Sequence, residues 1–331
     1  MASIDEPVRW GILGTAGIAA SAFLPALREA GGGVAAAVAG RDLERVKAWA
    51  GVNEVVRGVR GYEAVVSDPE IEAVYIPLPN DLHAEWTIAA LEAGKAVFCE
   101  KPLCTTPEET ERVLERAHAS AMPLWEAFVF PFHEQMERVR GLLADGVVGE
   151  VREIRSSFHF VLDDSEDIRM LAERSGGSVQ DVGCYPVRLA RLLFDAEPDL
   201  GRTIADAAWA ASGVDEELWG ALRFPGDRPL VFSCGFRAGE DTATLVLGTR
   251  GEIRMTSPFH PKAGDELVVA DGSGIRTEPA APGGVRSFTP AIRHIHRALR
   301  GLEAPRHLAV DDAIGNATAI AAVLSAARAR G

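Results

Sequence analysis

Residues 8–20 read V-R-W-G-I-L-G-T-A-G-I-A-A. The mostly apolar run from Val8 to Leu13 is typical of a buried strand, and small residues follow it at Gly14, Ala16 and Gly17. A strand that ends in a tight glycine turn and opens a helix can hold the pyrophosphate of a dinucleotide, because the helix N-terminus attracts anions. Alanine stands at Ala16, where this fingerprint usually has its second glycine. The pattern alone therefore fits a glycine turn with a purely structural role equally well.

Strands and helices alternate from this stretch to about residue 122. We expect further buried strands at residues 34–39, 72–77 and 96–99, with helices between them. Pro25 should kink the first of these helices, because proline lacks a backbone donor. Alternation of this kind predicts a parallel sheet with right-handed crossovers.

The pattern changes beyond residue 122. Residues 150–161 alternate polar and apolar side chains with a period of two, which indicates an antiparallel strand with one wet face. We expect more strands of this sheet at residues 205–211, 218–224, 230–236, 243–247, 252–255 and 266–270, and closing helices at 288–300 and 311–329. The sequence thus predicts an α/β protein: a Rossmann domain with a doubly wound parallel sheet (1–122), then an α+β domain with an open, mostly antiparallel sheet (123–331).

Composition excludes several kinds of partner. The net charge is -14 and basic residues form no block, which argues against nucleic acid and against an anionic membrane surface. No apolar run reaches membrane-spanning length, and the N-terminus lacks an apolar signal core. The four cysteines contain no CxxC pair and the histidines are scattered, so neither a disulfide framework nor a metal site is indicated. We expect a reduced, cytoplasmic, metal-free protein.

Two loops follow predicted strands at their carboxyl ends, where doubly wound folds bind ligands. Residues 77–83, P-L-P-N-D-L-H, form a stiff loop, and Glu100 and Lys101 stand between a buried strand and Pro102. An ordinary surface ion pair is the alternative for the second loop, because lysine side chains normally reach water.

The end of the second strand bears on cofactor choice. NAD enzymes usually carry an acid there for the ribose 2′-hydroxyl, whereas an arginine accommodates a 2′-phosphate. This chain has Ala39 and Gly40 and then Arg41, which favours NADP over NAD. Asp42, one position further on, keeps NAD possible.

A second glycine-rich segment, residues 176–187, reads G-G-S-V-Q-D-V-G-C-Y-P-V. Asp181 and Tyr185 lie one helical turn apart, so their side chains share a face. A phenol beside a carboxylate can pass a proton to a reacting oxygen if a nearby ammonium lowers the phenol pKa. The alternative is a buried tyrosine hydrogen-bonded to a capping aspartate.

Together these segments resemble the Gfo/Idh/MocA family of NAD(P)-dependent oxidoreductases. With a tyrosine at position 185, the chain resembles the sugar 3-ketoreductase, glucose–fructose oxidoreductase and dihydrodiol/xylose dehydrogenase branches of the family. Inositol dehydrogenases usually have a histidine at this position. The matching landmarks are G-I-L-G-T-A-G-I-A from Gly11, P-N-D-L-H-A-E-W from Pro79, A-L-E-A-G-K-A-V-F-C-E-K-P ending at Pro102, G-V-V-G-E-V-R from Gly146, and residues 176–187.

The resemblance implies roles for individual residues. Lys101 would contact substrate and nicotinamide, with a cis peptide before Pro102, and Asp181 and Tyr185 would complete the catalytic set. Where relatives have an arginine near the cofactor, this chain has Pro131. The residues expected to bind the cofactor are Gly14, Thr15, Ala16, Gly17, Ile18, Arg41, Pro77, Leu78, Asn80, His83, Glu100 and Lys101.

The expected activity is hydride transfer between nicotinamide and a sugar-like alcohol/ketone pair, with Lys101 and Tyr185 converging on the reacting oxygen. NADP(H) would be preferred and NAD(H) possible. The alternatives are an NADP-dependent aldose or dihydrodiol dehydrogenase and a non-catalytic NAD(P)-binding sensor; intact Lys101, Asp181 and Tyr185 argue against the sensor. A diphosphate on the substrate would need cations, for which Arg155, Arg169 and Arg188 are candidates.

The predicted antiparallel sheet also bears on assembly. Its half-polar face cannot be covered by two terminal helices alone, so we expect a homodimer or homotetramer.

Overall fold

The computed structural model describes residues 6–330 of the 331-residue chain. These residues form two compact units. The first contains residues 6–104, 108–132 and 285–314, and the second contains 105–107, 133–284 and 315–330. The units differ from the predicted division at 122/123, because residues 124–126 pair into the first sheet and the helix at 289–299 packs into the first unit's core.

The first unit is built on a six-stranded parallel sheet with strand order β3-β2-β1-β4-β5-β6. This order confirms the predicted doubly wound Rossmann fold. Two of its strands, β3 and β6, were not expected from the sequence, because each has only three residues. The strands are β1 (Val8–Leu13), β2 (Gly33–Gly40), β3 (Gly58–Arg60), β4 (Ala73–Ile76), β5 (Ala96–Cys99) and β6 (Leu124–Glu126).

Helices cover both faces of this sheet. In the second unit, α7 packs on that unit's own sheet. Within residues 6–330, none is both long and apolar enough to cross a bilayer. The helices are α1 (Leu24–Ala30), α2 (Leu43–Val52), α3 (Glu63–Val66), α4 (His83–Glu92), α5 (Pro107–Ser120), α6 (Glu134–Ala144), α7 (Cys184–Phe194), α8 (Thr289–Leu299) and α9 (Ala313–Arg328).

The second unit is built on an eight-stranded sheet with order β14-β13-β12-β11-β7-β10-β9-β8. Every neighbouring pair is antiparallel except β7 with β10, which confirms the predicted open, mostly antiparallel sheet. Strand β14, the last along the chain, was not expected from the sequence. The strands are β7 (Val151–His159), β8 (Asp199–Trp209), β9 (Asp215–Phe224), β10 (Arg228–Gly235), β11 (Thr244–Gly248), β12 (Glu252–Met255), β13 (Glu266–Asp271) and β14 (Gly274–Pro279).

The two faces of this sheet differ in exposure. One face packs against α7 and buries side chains such as Ile154 and Phe232. On the other face Trp219 is 51% exposed and Val231 is 44% exposed, and both line a groove of about 520 Å³. This second face is called the open face below. Its central row runs across adjacent strands through Ile204, Ala221, Val231, Arg155, Leu245 and Arg254.

Helices α1 and α7 are each preceded by a π-helical turn and carry a proline in their first turn. In the first unit the π turn covers Ala19–Phe23, and Leu24 N donates to Ala19 O five residues back. Pro25 therefore lies at the start of α1, where its missing donor is not needed, and the predicted kink takes the form of this wider turn. The second π turn, Val179–Gly183, precedes Pro186 in the same way.

Candidate active site

The glycine turn after β1 lies at the carboxyl edge of the parallel sheet. Gly14 has a φ of +95°, and a Cβ there would lie 3.0 Å from Leu78 Cδ2. Its N–H donates to Ala39 O at 2.8 Å, which fastens the turn to β2. Gly17 and Ile18 are exposed, and a Cβ at Gly17 would meet no atom within 4 Å. The turn is therefore rigid at Gly14 and open to a ligand at the start of the helix.

Two arginines stand at the neighbouring strand ends. Gly40 pairs with Arg60 across β2 and β3, and Gly61 N donates to Gly40 O at 2.9 Å. Arg41 follows Gly40 and Arg60 precedes Gly61, so the two arginines lie beside this hydrogen bond. Both side chains are exposed. Sequence reasoning found Arg41 but missed Arg60, because the short strand β3 carries no periodic signal.

Asp42 has a structural task at this edge. Its Oδ1 accepts hydrogen bonds from Glu44 N at 3.0 Å and Arg45 N at 3.1 Å, which caps α2. In the sequence, this carboxylate was the reason that NAD remained a possible cofactor. In the structure, it is occupied in capping the N-terminus of α2.

His83 links the two loops that follow β4 and β5. Its Nε2 lies 2.8 Å from Leu78 O and its Nδ1 lies 2.8 Å from Pro102 O. The side chain is 1% exposed, and burial, together with the charge of Lys101, lowers its pKa. Because both ring nitrogens face main-chain carbonyls, the geometry gives His83 a positioning role for these loops.

Lys101 directly follows β5, and the Lys101–Pro102 peptide is cis, as the resemblance implies. The buried Glu100 carboxylate accepts a hydrogen bond from Tyr75 Oη at 2.7 Å and from the Lys101 backbone nitrogen at 3.3 Å. Tyr75, on β4, is fixed in turn by stacking on Phe23 at a centroid distance of 4.0 Å. Tyr75 therefore anchors Glu100 in the core beside Lys101. The sequence did not reveal this contact between Tyr75 and Glu100.

In the second unit, Asp215 on β9 fixes the N-terminus of the segment that carries Asp181 and Tyr185. Ser178 Oγ and Val179 N each donate to Asp215 Oδ2 at 2.7 Å. Asp215 is 3% exposed, and burial raises the pKa of its carboxyl against the opposing effect of these hydrogen bonds. A Cβ at Gly177 would lie 2.3 Å from Asp215 Oδ1, so glycine is required for this close approach.

Asp181 is paired with an arginine. Arg169 Nε donates to Asp181 Oδ2 at 2.9 Å, and its Nη1 lies 3.1 Å from Asp167 Oδ1. A Cβ at Gly176 would lie 2.3 Å from Arg169 O, so glycine lets the loop reach the helix. The Arg169 charge stabilises Asp181 as a carboxylate.

Tyr185 lies in an aromatic environment with a polar neighbour at its hydroxyl. It is 4% exposed, and its ring contacts Phe158 and Phe259 at centroid distances of 5.3 and 5.1 Å. Its Oη lies 3.3 Å from His260 Nε2. The sequence did not reveal His260, because it belongs to the loop between β12 and β13 and no local pattern marks it.

The arginines considered for a diphosphate are placed differently from one another. Arg155 lies on the open face and pairs with Glu153, whereas Phe158 on the same strand points to Tyr185. Strand alternation thus directs Arg155 away from the phenol. Arg169 is paired as described, and Arg188 is buried in α7. Pro131, at the position of the family's arginine, is buried in a 3₁₀ turn, Phe130–Phe132.

Comparisons with known proteins agree with this geometry. Residues 8–128 match the family model described as oxidoreductase family, NAD-binding Rossmann fold, and residues 136–254 match the GFO/IDH/MocA C-terminal domain. A D-xylose 1-dehydrogenase (NADP(+)) from Haloferax volcanii is 36% identical over 300 residues, which is 90% of each chain. A dTDP-3,4-didehydro-2,6-dideoxy-alpha-D-glucose 3-reductase from Saccharopolyspora spinosa is 35% identical over 304 residues, 91% of each chain.

The fold is also found in solved structures. KijD10, a 3-ketoreductase from Actinomadura kijaniata crystallised with NADP and TDP-benzene, superposes with a TM-score of 0.87 at 30% identity, over 97% of this chain and 98% of that one. Both domain models and these similarities over most of the length confirm the resemblance seen in the sequence. The chain belongs to the Gfo/Idh/MocA family and is an NAD(P)-dependent oxidoreductase.

Proposed function

We propose that this protein transfers a hydride between NADP(H) and a sugar-like alcohol/ketone pair, with Lys101 and Tyr185 acting on the reacting oxygen. The nicotinamide supplies the hydride when bound. The protein must bind and orient the two molecules, polarise the carbonyl and provide a proton to its oxygen.

The observation that carries the proposal is the environment of Tyr185. Its phenol is buried among aromatic rings, while an arginine-paired aspartate lies one turn away and an imidazole lies at its hydroxyl. A cofactor-binding sensor has no need of a buried hydroxyl with such neighbours. Similar relatives named as ketosugar reductases and as a xylose dehydrogenase support a carbohydrate substrate.

Turnover assays test this function. Loss of NADPH absorbance would be followed with a dTDP-linked 3-ketosugar in the reducing direction. In the oxidising direction, with NADP⁺ and either D-xylose or a trans-dihydrodiol, the appearance of NADPH absorbance would be followed. We expect turnover with at least one of these pairs. Tight NADP(H) binding without turnover of any carbohydrate would favour the non-catalytic sensor.

The choice between a nucleotide-linked ketosugar and a free aldose or dihydrodiol rests on the same assays. Our proposal favours the ketosugar reductase, since KijD10, a 3-ketoreductase, covers nearly the whole chain. Faster oxidation of xylose or a dihydrodiol than reduction of the ketosugar would reverse this order.

Cofactor preference should depend on Arg41 and Arg60. Replacing either arginine by alanine is expected to weaken NADP(H) binding about tenfold or more and NAD(H) binding much less, because a charge-assisted hydrogen bond to the 2′-phosphate contributes about 1.5–3 kcal/mol. Fluorescence titration with both cofactors measures this. Arg116→Ala, on an exposed part of α5, is the matched control and should change neither affinity. Tighter binding of NADH than NADPH to the wild type would contradict the preference.

The open face should bury itself against a second copy of the chain. Its exposed apolar side chains, Trp219 and Val231, line one groove, and exposed apolar patches commonly mark interfaces between subunits. We expect a homodimer or homotetramer by light scattering, and a shift towards monomer in Trp219→Glu. Val52→Glu, at an exposed position on α2, is the control and should leave the mass unchanged. A monomeric wild type at micromolar concentration would refute this assembly.

A further inference from the structure

The hydroxyl of Tyr185 has a titratable neighbour outside its own helix. His260 Nε2 lies 3.3 Å from Tyr185 Oη, and the two rings meet edge to face at a centroid distance of 5.6 Å. His260 is partly exposed, whereas Tyr185 is buried. The imidazole therefore lies between the phenol and the solvent.

The loop that carries His260 is fixed. Phe259 is 0% exposed and stacks on Phe158 with an interplanar angle of 5° and a centroid distance of 5.5 Å. Gln135 Nε2, from α6, donates to Ser257 O at 3.1 Å. These two anchors hold the residue next to His260 in the core, so the Nε2–Oη contact does not depend on a mobile loop.

We propose that His260 is the proton shuttle that connects Tyr185 with the solvent during hydride transfer. This inference rests on the proposed function and adds to it the group that reprotonates the Tyr185 phenolate. In the reducing direction, Tyr185 would give its hydroxyl proton to the carbonyl oxygen of a substrate whose carbonyl carbon accepts the hydride that a bound nicotinamide would supply. The phenolate would then take the Nε2 proton of the His260 imidazolium, and the neutral imidazole would regain a proton from the solvent, so that each reduction consumes one solvent proton. The oxidising direction runs through the same steps in reverse.

Asp181 serves this shuttle as a fixed charge rather than as a proton carrier, because Arg169 holds it as a carboxylate. Other charged groups on the elements that bear on the pair include Asp167, which also binds Arg169, the buried Arg188 of α7, and Lys262 and Asp265 of the His260 loop, where Lys262 N donates to Asp265 Oδ2. Among these groups, His260 contacts the Tyr185 hydroxyl at 3.3 Å and is partly exposed.

His260→Gln tests the shuttle, since glutamine keeps hydrogen-bonding atoms at the site but neither gains nor loses a proton near neutral pH. We expect kcat to fall about 10- to 100-fold, with KM and NADPH affinity nearly unchanged, because only proton transfer is impaired. In His260→Ala, added imidazole should restore part of the lost kcat. His118→Gln, on an exposed turn of α5, is the matched control and should behave as the wild type.

A double variant separates a shuttle from an independent role. If His260 acts through Tyr185, adding His260→Gln to Tyr185→Phe should lower kcat no further. Multiplied losses, or a wild-type kcat in His260→Gln, would overturn the proposal.

One further measurement requires no turnover. The chain has three tyrosines, so subtracting the ultraviolet titration of Tyr185→Phe from that of the wild type isolates the Tyr185 phenol. We expect this difference titration to move when the subtraction is repeated in a His260→Gln background. An unmoved curve would count against the Tyr185–His260 contact, whereas a moved curve in a protein without turnover would show that the proposed function alone has failed.

Discussion

Tyr185→Phe is expected to lower kcat by about 10²–10⁴-fold, the range usual for the loss of a positioned general acid or base. The phenylalanine ring keeps the packing against Phe158 and Phe259, so the variant should fold and bind NADPH as the wild type does. The fall in kcat would therefore report the role of the Tyr185 hydroxyl alone.

Lys101→Ala is the companion variant. We expect it to lose activity as well, but with weaker substrate binding, because a charged ammonium polarises the carbonyl in both ground state and transition state. Steady-state kinetics on the substrate found by screening, with cofactor titration of both variants, measures these effects. Wild-type kcat in Tyr185→Phe together with an inactive Lys101→Ala would make the lysine the proton donor and reverse the two roles.

The fold followed from local patterns in most places. The strands β2, β4 and β5 are continuous apolar runs, and β1 is interrupted only by Arg9, because both faces of a parallel sheet are covered. Strand β7 alternates because one of its faces is open. Such periodicities are properties of neighbouring residues, so they can be read without knowing the partner of each strand.

Elements whose identity depends on distant partners were missed. β3 and β6 have three residues each and exist through pairing with β2 and β5, so neither carries a periodic signal of its own. The division into domains shifted for the same reason, since β6 and α8 join the first unit by packing rather than by order along the chain.

The candidate site shows the same limit. Lys101, Asp181 and Tyr185 stand in contiguous motifs and were found in the sequence. Their supports were not, because Tyr75 precedes Glu100 by 25 residues and His260 follows Tyr185 by 75. Contacts at such separations are fixed by the tertiary fold, and one sequence contains no pattern that relates them.

Asp215→Ala is expected to destabilise the second unit by about 1.5–5 kcal/mol. Loss of an N-terminal helix cap contributes about 0.5–2 kcal/mol, and a buried donor left without an acceptor contributes about 1–3 kcal/mol. Both apply here, because Ser178 Oγ and Val179 N donate to one buried carboxylate oxygen. The segment that begins there carries Asp181 and Tyr185, so activity should fall together with stability.

Asp215→Asn should be milder than Asp215→Ala. The amide keeps an oxygen for Val179 N and removes a charge that burial disfavours, as the raised pKa of the Asp215 carboxyl indicates. Urea unfolding followed by circular dichroism compares both variants with Glu150→Ala, which removes an exposed carboxylate paired with Arg152 and should change stability little. Equal stability of Asp215→Ala and Glu150→Ala would show that Asp215 does not hold the N-terminus of this segment, and the positions of Asp181 and Tyr185 would then need another explanation.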